Sequence, residues 1–167
     1  MIVSRDDNAP DKSPYDDSVS RDAFQRYADA HEWVVRPQSQ YAHIDIYVAP
    51  PGKSQIAIEL QCNSCWTTQT EYPQDIHIPL RKFPYFQEAL TPPEHHNSWE
   101  ELMPVDRGYF MLFNVAHTKV AILKFSALLD GLKNKLFTTQ KLRLNGEMCE
   151  VALVPVAYIV KYIDIPI

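Results

Sequence analysis

Two segments of the chain alternate apolar and polar residues with a period of two, which is typical of strands that bury one face. They span residues 42–48 and 55–61, and a Pro-Pro-Gly-Lys-Ser stretch connects them. We expect an antiparallel hairpin centred on Gly52, in which the numbers of two paired residues add up to twice 52. In this register the apolar side chains of both strands, Ile44 included, share one face, and the polar side chains share the other.

Helical spacing and further strand patterns account for most of the remaining chain. Residues 20–32 repeat apolar positions every three or four residues, which predicts a helix with Ser20 as its N-cap. The other predicted elements are a short strand at 33–35, helices at 80–90 and from 126, strands at 109–115 and 118–123, and a hairpin of 141–144 with 147–153. Residues 67–79 have no clean period, so we expect them to be irregular.

Two local signals refine this outline. Asn145-Gly146 suits the type I′ turn of the second hairpin, because both positions tolerate a positive φ angle. The helix that begins near residue 126 is expected to direct its leucines inward, namely Leu128, Leu129, Leu132 and Leu136. Together the elements predict an α/β fold with a mixed central sheet flanked by helices.

The first 18 residues differ from the rest in composition. Positions 4–18 combine charged residues with two prolines and have almost no apolar content, so burial cannot compensate for the entropy lost on ordering. We therefore expect a disordered tail at 1–18 and a single domain at 19–167. The 167 residues, 46% of them hydrophobic, suffice for one core without a disulfide or a structural metal.

Nothing in the sequence points to a membrane or to secretion. No apolar run approaches the roughly 18 residues of a membrane-spanning helix, and the first residues lack the basic and then apolar order of a signal peptide. Three cysteines cannot all pair with one another, and Cys62 with Cys65 forms a C-x-x-C that fits a reducing compartment. We expect a cytoplasmic protein.

The net charge of −5 argues at first against a partner as negative as nucleic acid. Residues 1–32, however, hold eight acidic and four basic side chains, so they account for −4 and leave only −1 for the rest. Residues 119–143 contain five lysines and one arginine but a single acidic residue, Asp130. A local basic surface is therefore compatible with the sequence.

The polar face of the first hairpin carries the candidate chemistry. The predicted register places Asp45 opposite Glu59 and His43 opposite Gln61, with opposed Cβ atoms about 4.5–5.5 Å apart. Two carboxylates at that distance repel each other unless a positive charge lies between them, and a divalent cation supplies one. Mg²⁺ or Mn²⁺ bound there, with the Leu60 carbonyl as a further ligand, would support hydrolysis of a phosphodiester.

Asp45 followed after thirteen residues by Glu59-Leu60-Gln61 resembles the D…(D/E)-x-K signature of the PD-(D/E)XK nuclease superfamily. The predicted order of helix, three-stranded meander, helix and strand, over roughly residues 20–125, also resembles that restriction endonuclease-like core. The resemblance implies a metal-dependent endonuclease acting on DNA, in which Asp45 and Glu59 bind the metal. Gln61 would stand at the place of the usual lysine and position the nucleophilic water.

A glutamine supplies no charge, so the resemblance leaves a cation to be found elsewhere. Lys82 or Arg81, on the following element, would restore it and steady the scissile phosphate, as relocated lysines do in this superfamily. His43 would assist proton transfer. Small nucleases that cut both strands often act as dimers, and the sequence leaves a homodimer open.

The sequence also supports three other interpretations. The acidic face can simply meet water, as one face of many antiparallel sheets does. A catalytically inactive module of the same architecture would bind protein or nucleic acid, a reading that the acidic net charge and Gln61 favour. Cys62 and Cys65 could also bind zinc with Cys149, His95 or His96, although a single C-x-x-C is weak evidence for zinc.

Overall fold

The structure, a computed structural model, describes residues 17–37, 44–52, 55–90, 105–144 and 146–166. Its described α-helices are α1 (Asp17–Ala30), α2 (Phe83–Leu90) and α3 (Phe125–Lys133), with 3₁₀ turns at Leu80–Lys82 and Val156–Tyr158. Its described strands are β1 (Val34–Pro37), β2 (Ile46–Ala49), β3 (Gln55–Cys62), β4 (Ile76–Pro79), β5 (Val105–Phe113), β6 (Lys119–Lys124), β7 (Thr138–Leu144), β8 (Glu147–Val154) and β9 (Ile159–Asp164).

These strands form two sheets. The larger has the order β1-β2-β3-β5-β6-β9, and the smaller has the order β4-β8-β7. In the larger sheet β3 and β5 run parallel while the other neighbours run antiparallel, which confirms the predicted mixed sheet. The predicted order of a helix, a three-stranded meander, a helix and a strand is confirmed as α1, then β1 to β3, then α2 and β5.

The register of the first hairpin is the one that the alternation predicted. Ile46 pairs with Ile58, and Val48 pairs with Ile56, so each pair of numbers adds up to 104. Ile44 is an exception to the predicted face, because it lies in a bend before β2 and packs in the other apolar cluster. The turn between the two strands depends on a glycine, because Gly52 takes a φ angle of 68°, which a residue with a side chain rarely adopts.

Helices cover both faces of the large sheet at its central strands. On one face, α1 packs Phe24 and Ala28 against β2, β3 and β5. On the other face, α2 and α3 share one apolar cluster with both sheets, and Phe86 stacks on Phe125 with ring centroids 4.3 Å apart. As a result β3 is buried along both faces from Gln55 to Leu60. Alternation in the sequence predicted only one buried face for it.

Several boundaries differ from those predicted. Residues 1–16 of the expected tail lie outside the described residues, but α1 already begins at Asp17, so the predicted boundary at 18 is too late. Ser20 lies inside this helix and is not its N-cap, since its buried hydroxyl is 3.0 Å from Nε2 of His117. A partner 97 residues away therefore determines the role of Ser20.

The remaining differences arise from pairings between distant segments. Residues 67–79 were expected to be irregular, yet Ile76–Pro79 forms β4, because β8 provides it with a neighbour. Leu136 does not point inward: α3 ends at Lys133 and leaves Leu136 62% exposed. No element was predicted after residue 154, where β9 pairs with β6.

Candidate active site

Asp45 and Glu59 are in contact, as the predicted register requires. Asp45 lies immediately before β2, and Glu59 lies in the middle of β3. The main-chain N–H of Asp45 donates to Oε2 of Glu59 at 3.3 Å. The structure thus places the main chain of Asp45 directly against the Glu59 carboxylate.

The Asp45 carboxylate is held from two directions. Nη2 of Arg21, on α1, donates to Oδ1 at 3.0 Å, while the main-chain N–H of Leu60 donates to Oδ2 at 2.9 Å. Nη1 of Arg21 also donates to the main-chain oxygen of Asp45 at 2.9 Å. The role of Arg21 could not be predicted from the sequence, because the pattern around it shows only the apolar face of a helix and nothing about what its polar side reaches.

Glu59 is buried, and its neighbours explain why. Its register partner in β5 is Phe110, whose ring packs against Phe86 of α2 at a centroid distance of 6.0 Å. The helix therefore covers the face from which Glu59 projects, and only 5% of the residue is exposed. Burial of a carboxyl group favours its neutral form.

Lys82 is the cation nearest to this buried acid. It ends the 3₁₀ turn that leads into α2, and its Nζ donates to Oε1 of Glu59 at 2.7 Å. Burial raises the pKa of Glu59 from 4.5 to about 7, with Lys82 acting in the opposite direction; the charge of Asp45 raises this pKa further, and its main-chain hydrogen bond lowers it. Near neutral pH Glu59 is therefore divided between its protonated and ionised forms in the absence of another cation.

This raised pKa predicts a pH-dependent stability in metal-free buffer. The folded protein keeps the Glu59 proton up to about pH 7, whereas the unfolded chain releases it near 4.5. The raised pKa thus adds stability that is complete below about pH 4.5 and lost as the pH rises through about 7. We expect the parent protein to lose stability relative to Glu59→Gln over this range, by at most about 1.4 kcal/mol per pH unit.

Urea unfolding of both proteins at a series of pH values, with EDTA present, measures this difference. Because the two chains differ only at residue 59, the other titrating groups cancel to first order. A difference that stays constant with pH, or that changes in the opposite direction, would contradict the burial of an ionisable Glu59.

Gln61 and Arg81 are placed differently from the acids. Nε2 of Gln61 donates to the main-chain oxygen of His77 in β4 at 2.9 Å, so this amide links the two sheets. Arg81 is exposed and lines a surface groove of about 250 Å³ with residues 147–150 of β8. Between the two predicted cations, only Lys82 has a described contact with the acidic pair. His43 lies outside the described residues.

The two acids carry oxygen ligands of the type that a small divalent cation binds. Mg²⁺ is commonly bound through one or two carboxylates, with waters and substrate oxygens completing an octahedron. Asp45 and Glu59 supply two such groups, and the buried Glu59 with its raised pKa is an acid that a nearby cation would return to the ionised form. Among the described residues no cluster of three or more His, Cys, Asp and Glu side chains adds to this pair.

The described cysteines do not support the hypothesis of a zinc site. Cys62 is half-buried with its Sγ 3.8 Å from the main-chain oxygen of Asn114, and burial raises its pKa to about 12. Zinc binds the thiolate, so this thiol is poorly suited to it. Cys65 is exposed, Cys149 lies on β8, and all three are free thiols. His95 and His96 lie outside the described residues.

Comparison with known proteins leaves the family open. No family model matches the chain, and no curated protein matches it. Among solved structures, the chain is similar to a nuclease from a fusselovirus, with 15% identity and a TM-score of 0.43 over 86% of this chain and 79% of the other. No helix within the described ranges is long and apolar enough to span a membrane. These comparisons assign no role to any residue.

Proposed function

We propose that the protein is a Mg²⁺- or Mn²⁺-dependent nuclease that hydrolyses phosphodiester bonds of DNA, with a variant PD-(D/E)XK site. One observation carries the proposal: the Glu59 carboxylate accepts hydrogen bonds from the main-chain N–H of Asp45, just before β2, and from Nζ of Lys82, in the turn before α2. Two acids and one cation are the groups that the resemblance requires, and Lys82 supplies the charge that Gln61 lacks.

In this proposal Asp45, Glu59 and the Leu60 carbonyl hold the metal ion. The ion, when bound, would lower the pKa of a water and stabilise the charge that builds up on the phosphodiester. Lys82 lies at the acidic pair and would donate from Nζ to an oxygen of the scissile phosphate. Gln61 would orient the attacking water through Oε1, since its Nε2 is already bonded to His77. His43 would assist proton transfer.

A second candidate function is a catalytically inactive module that binds protein or nucleic acid. The hydrogen-bond pattern favours it in one respect: each of the four carboxylate oxygens of Asp45 and Glu59 already accepts a hydrogen bond from the protein. The network is therefore satisfied without a metal. Each oxygen has a second lone pair, however, so this saturation does not prevent metal binding.

Incubation of the purified full chain with supercoiled plasmid DNA distinguishes the two functions. We expect nicking or linearisation with Mg²⁺ or Mn²⁺, and complete loss of cleavage when EDTA removes the metal. DNA that is retained in a gel-shift assay but stays intact with both metals would support the inactive module. A cleavage that persists in EDTA would contradict the metal-dependent mechanism.

A further inference from the structure

We propose that Arg21 is the positioning residue of the candidate site and presets the Asp45 carboxylate for the metal ion. This inference rests on the proposed function, because it concerns how that site is held ready. It goes beyond the resemblance, which carries no residue of α1 into the site. The described side-chain contacts of Arg21 are with Asp45, so its effect on the metal ion would act through Asp45.

Arg21 donates two hydrogen bonds to Asp45. Nη1 of Arg21 reaches the main-chain oxygen of Asp45 at 2.9 Å, and Nη2 reaches Oδ1 at 3.0 Å. The guanidinium is planar, so two hydrogen bonds from its fork fix the carboxylate relative to its own main chain. With the Leu60 N–H on Oδ2, both carboxylate oxygens have a fixed donor.

The position of Asp45 in the fold explains why such an anchor matters. The described ladder between β2 and β3 starts at Ile46, and Asp45 lies in the bend before it. Its main-chain oxygen accepts a hydrogen bond from Arg21 of α1. This helix covers the face of the sheet opposite to α2 and α3. Arg21 therefore ties the entry of β2 to α1.

The charge of Arg21 matters as well as its shape. Asp45 and Glu59 repel each other when both are ionised, and among the described residues Lys82 pairs with Glu59. Arg21 provides the matching positive charge for Asp45, with side chains that are 34% and 23% exposed. Each acid thus has its own cation, and the pair can stay close together before a metal arrives.

Mn²⁺ binding to the metal-free full chain, measured by calorimetry, tests this role without relying on cleavage. Partners that orient a metal ligand typically contribute 10- to 100-fold to affinity. We expect Arg21→Gln to raise the Kd for Mn²⁺ by about 10-fold or more. Arg21→Lys should not restore it, because an ammonium group cannot form the planar fork.

Arg26→Gln is the matched control. Arg26 lies on the same helix and is exposed, and its Nε donates only to the main-chain oxygen of Pro166 among its described contacts. We expect its Kd for Mn²⁺ to equal that of the parent. An unchanged Kd in Arg21→Gln would overturn the inference, and if that variant fails to fold, an unchanged Kd in Arg21→Lys would overturn it.

These measurements distinguish a failure of the proposed metal site from a failure of the role proposed for Arg21. A parent protein that binds no Mn²⁺ would overturn the proposed metal site and the role of Arg21 together. A parent that binds Mn²⁺ and cuts DNA, with an Arg21→Gln variant of equal affinity, would overturn only the role of Arg21. Equal increases in Kd for Arg21→Gln and Arg26→Gln would also overturn it, since they would reflect a general loss of positive charge on α1.

Discussion

Glu59→Gln is expected to reduce the rate of DNA cleavage by at least about a thousandfold while the protein remains folded. Glu59 would be a ligand of the metal ion, and an uncharged amide binds a hard divalent cation far more weakly than a carboxylate does. A metal that stabilises transition-state charge contributes several kcal/mol, and each 1.4 kcal/mol is worth about tenfold in rate. Single-turnover cleavage of plasmid DNA in Mg²⁺ measures the loss.

The fold is expected to survive this change, because Gln has nearly the same shape as Glu and the variant removes a buried acid with a raised pKa. Thermal unfolding of both proteins verifies that survival. Glu71→Gln is the matched control: Glu71 is exposed between β3 and β4, so its removal should leave the rate unchanged. Glu59→Gln that cuts DNA as fast as the parent would rule out Glu59 as a metal ligand.

Lys82→Ala is expected to lower the cleavage rate by about a hundredfold or more. A preorganised donor at the site of developing charge is typically worth 10²- to 10³-fold in rate. Lys82 has the position for this role, since its Nζ is 2.7 Å from Glu59 and its side chain is 23% exposed. Loss of this cation also leaves the buried Glu59 without its ion pair, which raises the pKa of Glu59 further.

The rate constant at saturating DNA concentration is the measurement that separates this role from simple DNA attraction. Lys161→Ala serves as the control, because Lys161 is exposed on β9 in the opposite half of the large sheet. We expect it to retain the parent rate. A larger loss in Arg81→Ala than in Lys82→Ala would contradict the choice of Lys82 and favour the residue that lines the groove beside β8.

The site depends on where β3 lies in the sheet. With β2 on one side and the parallel strand β5 on the other, β3 is covered above and below by helices. A solvent-facing carboxyl would keep its ordinary pKa, whereas Glu59 beneath α2 has its pKa raised to about 7. The covering helix also explains Lys82, because the turn that starts α2 passes over Glu59. Burial and charge compensation therefore come from the same packing contact.

The sequence by itself determined the local geometry of this protein. The period of two in both strands and Gly52 between them fix the register of the first hairpin, and with it the contact of Asp45 with Glu59. Shifting β2 by one residue would exchange its buried and half-buried faces, so such a register is strongly specified. The second hairpin follows the same logic, with Leu144 paired to Glu147.

Only the tertiary structure decided which groups surround the acids. Arg21 and Lys82 are separated from their partners by more than 20 residues, and Gln61 reaches a strand that exists only because β8 pairs with it. Sequence periodicity describes the direction of a side chain relative to its own element. Contacts between elements depend on how helices and sheets pack, and that packing is set by the apolar core as a whole.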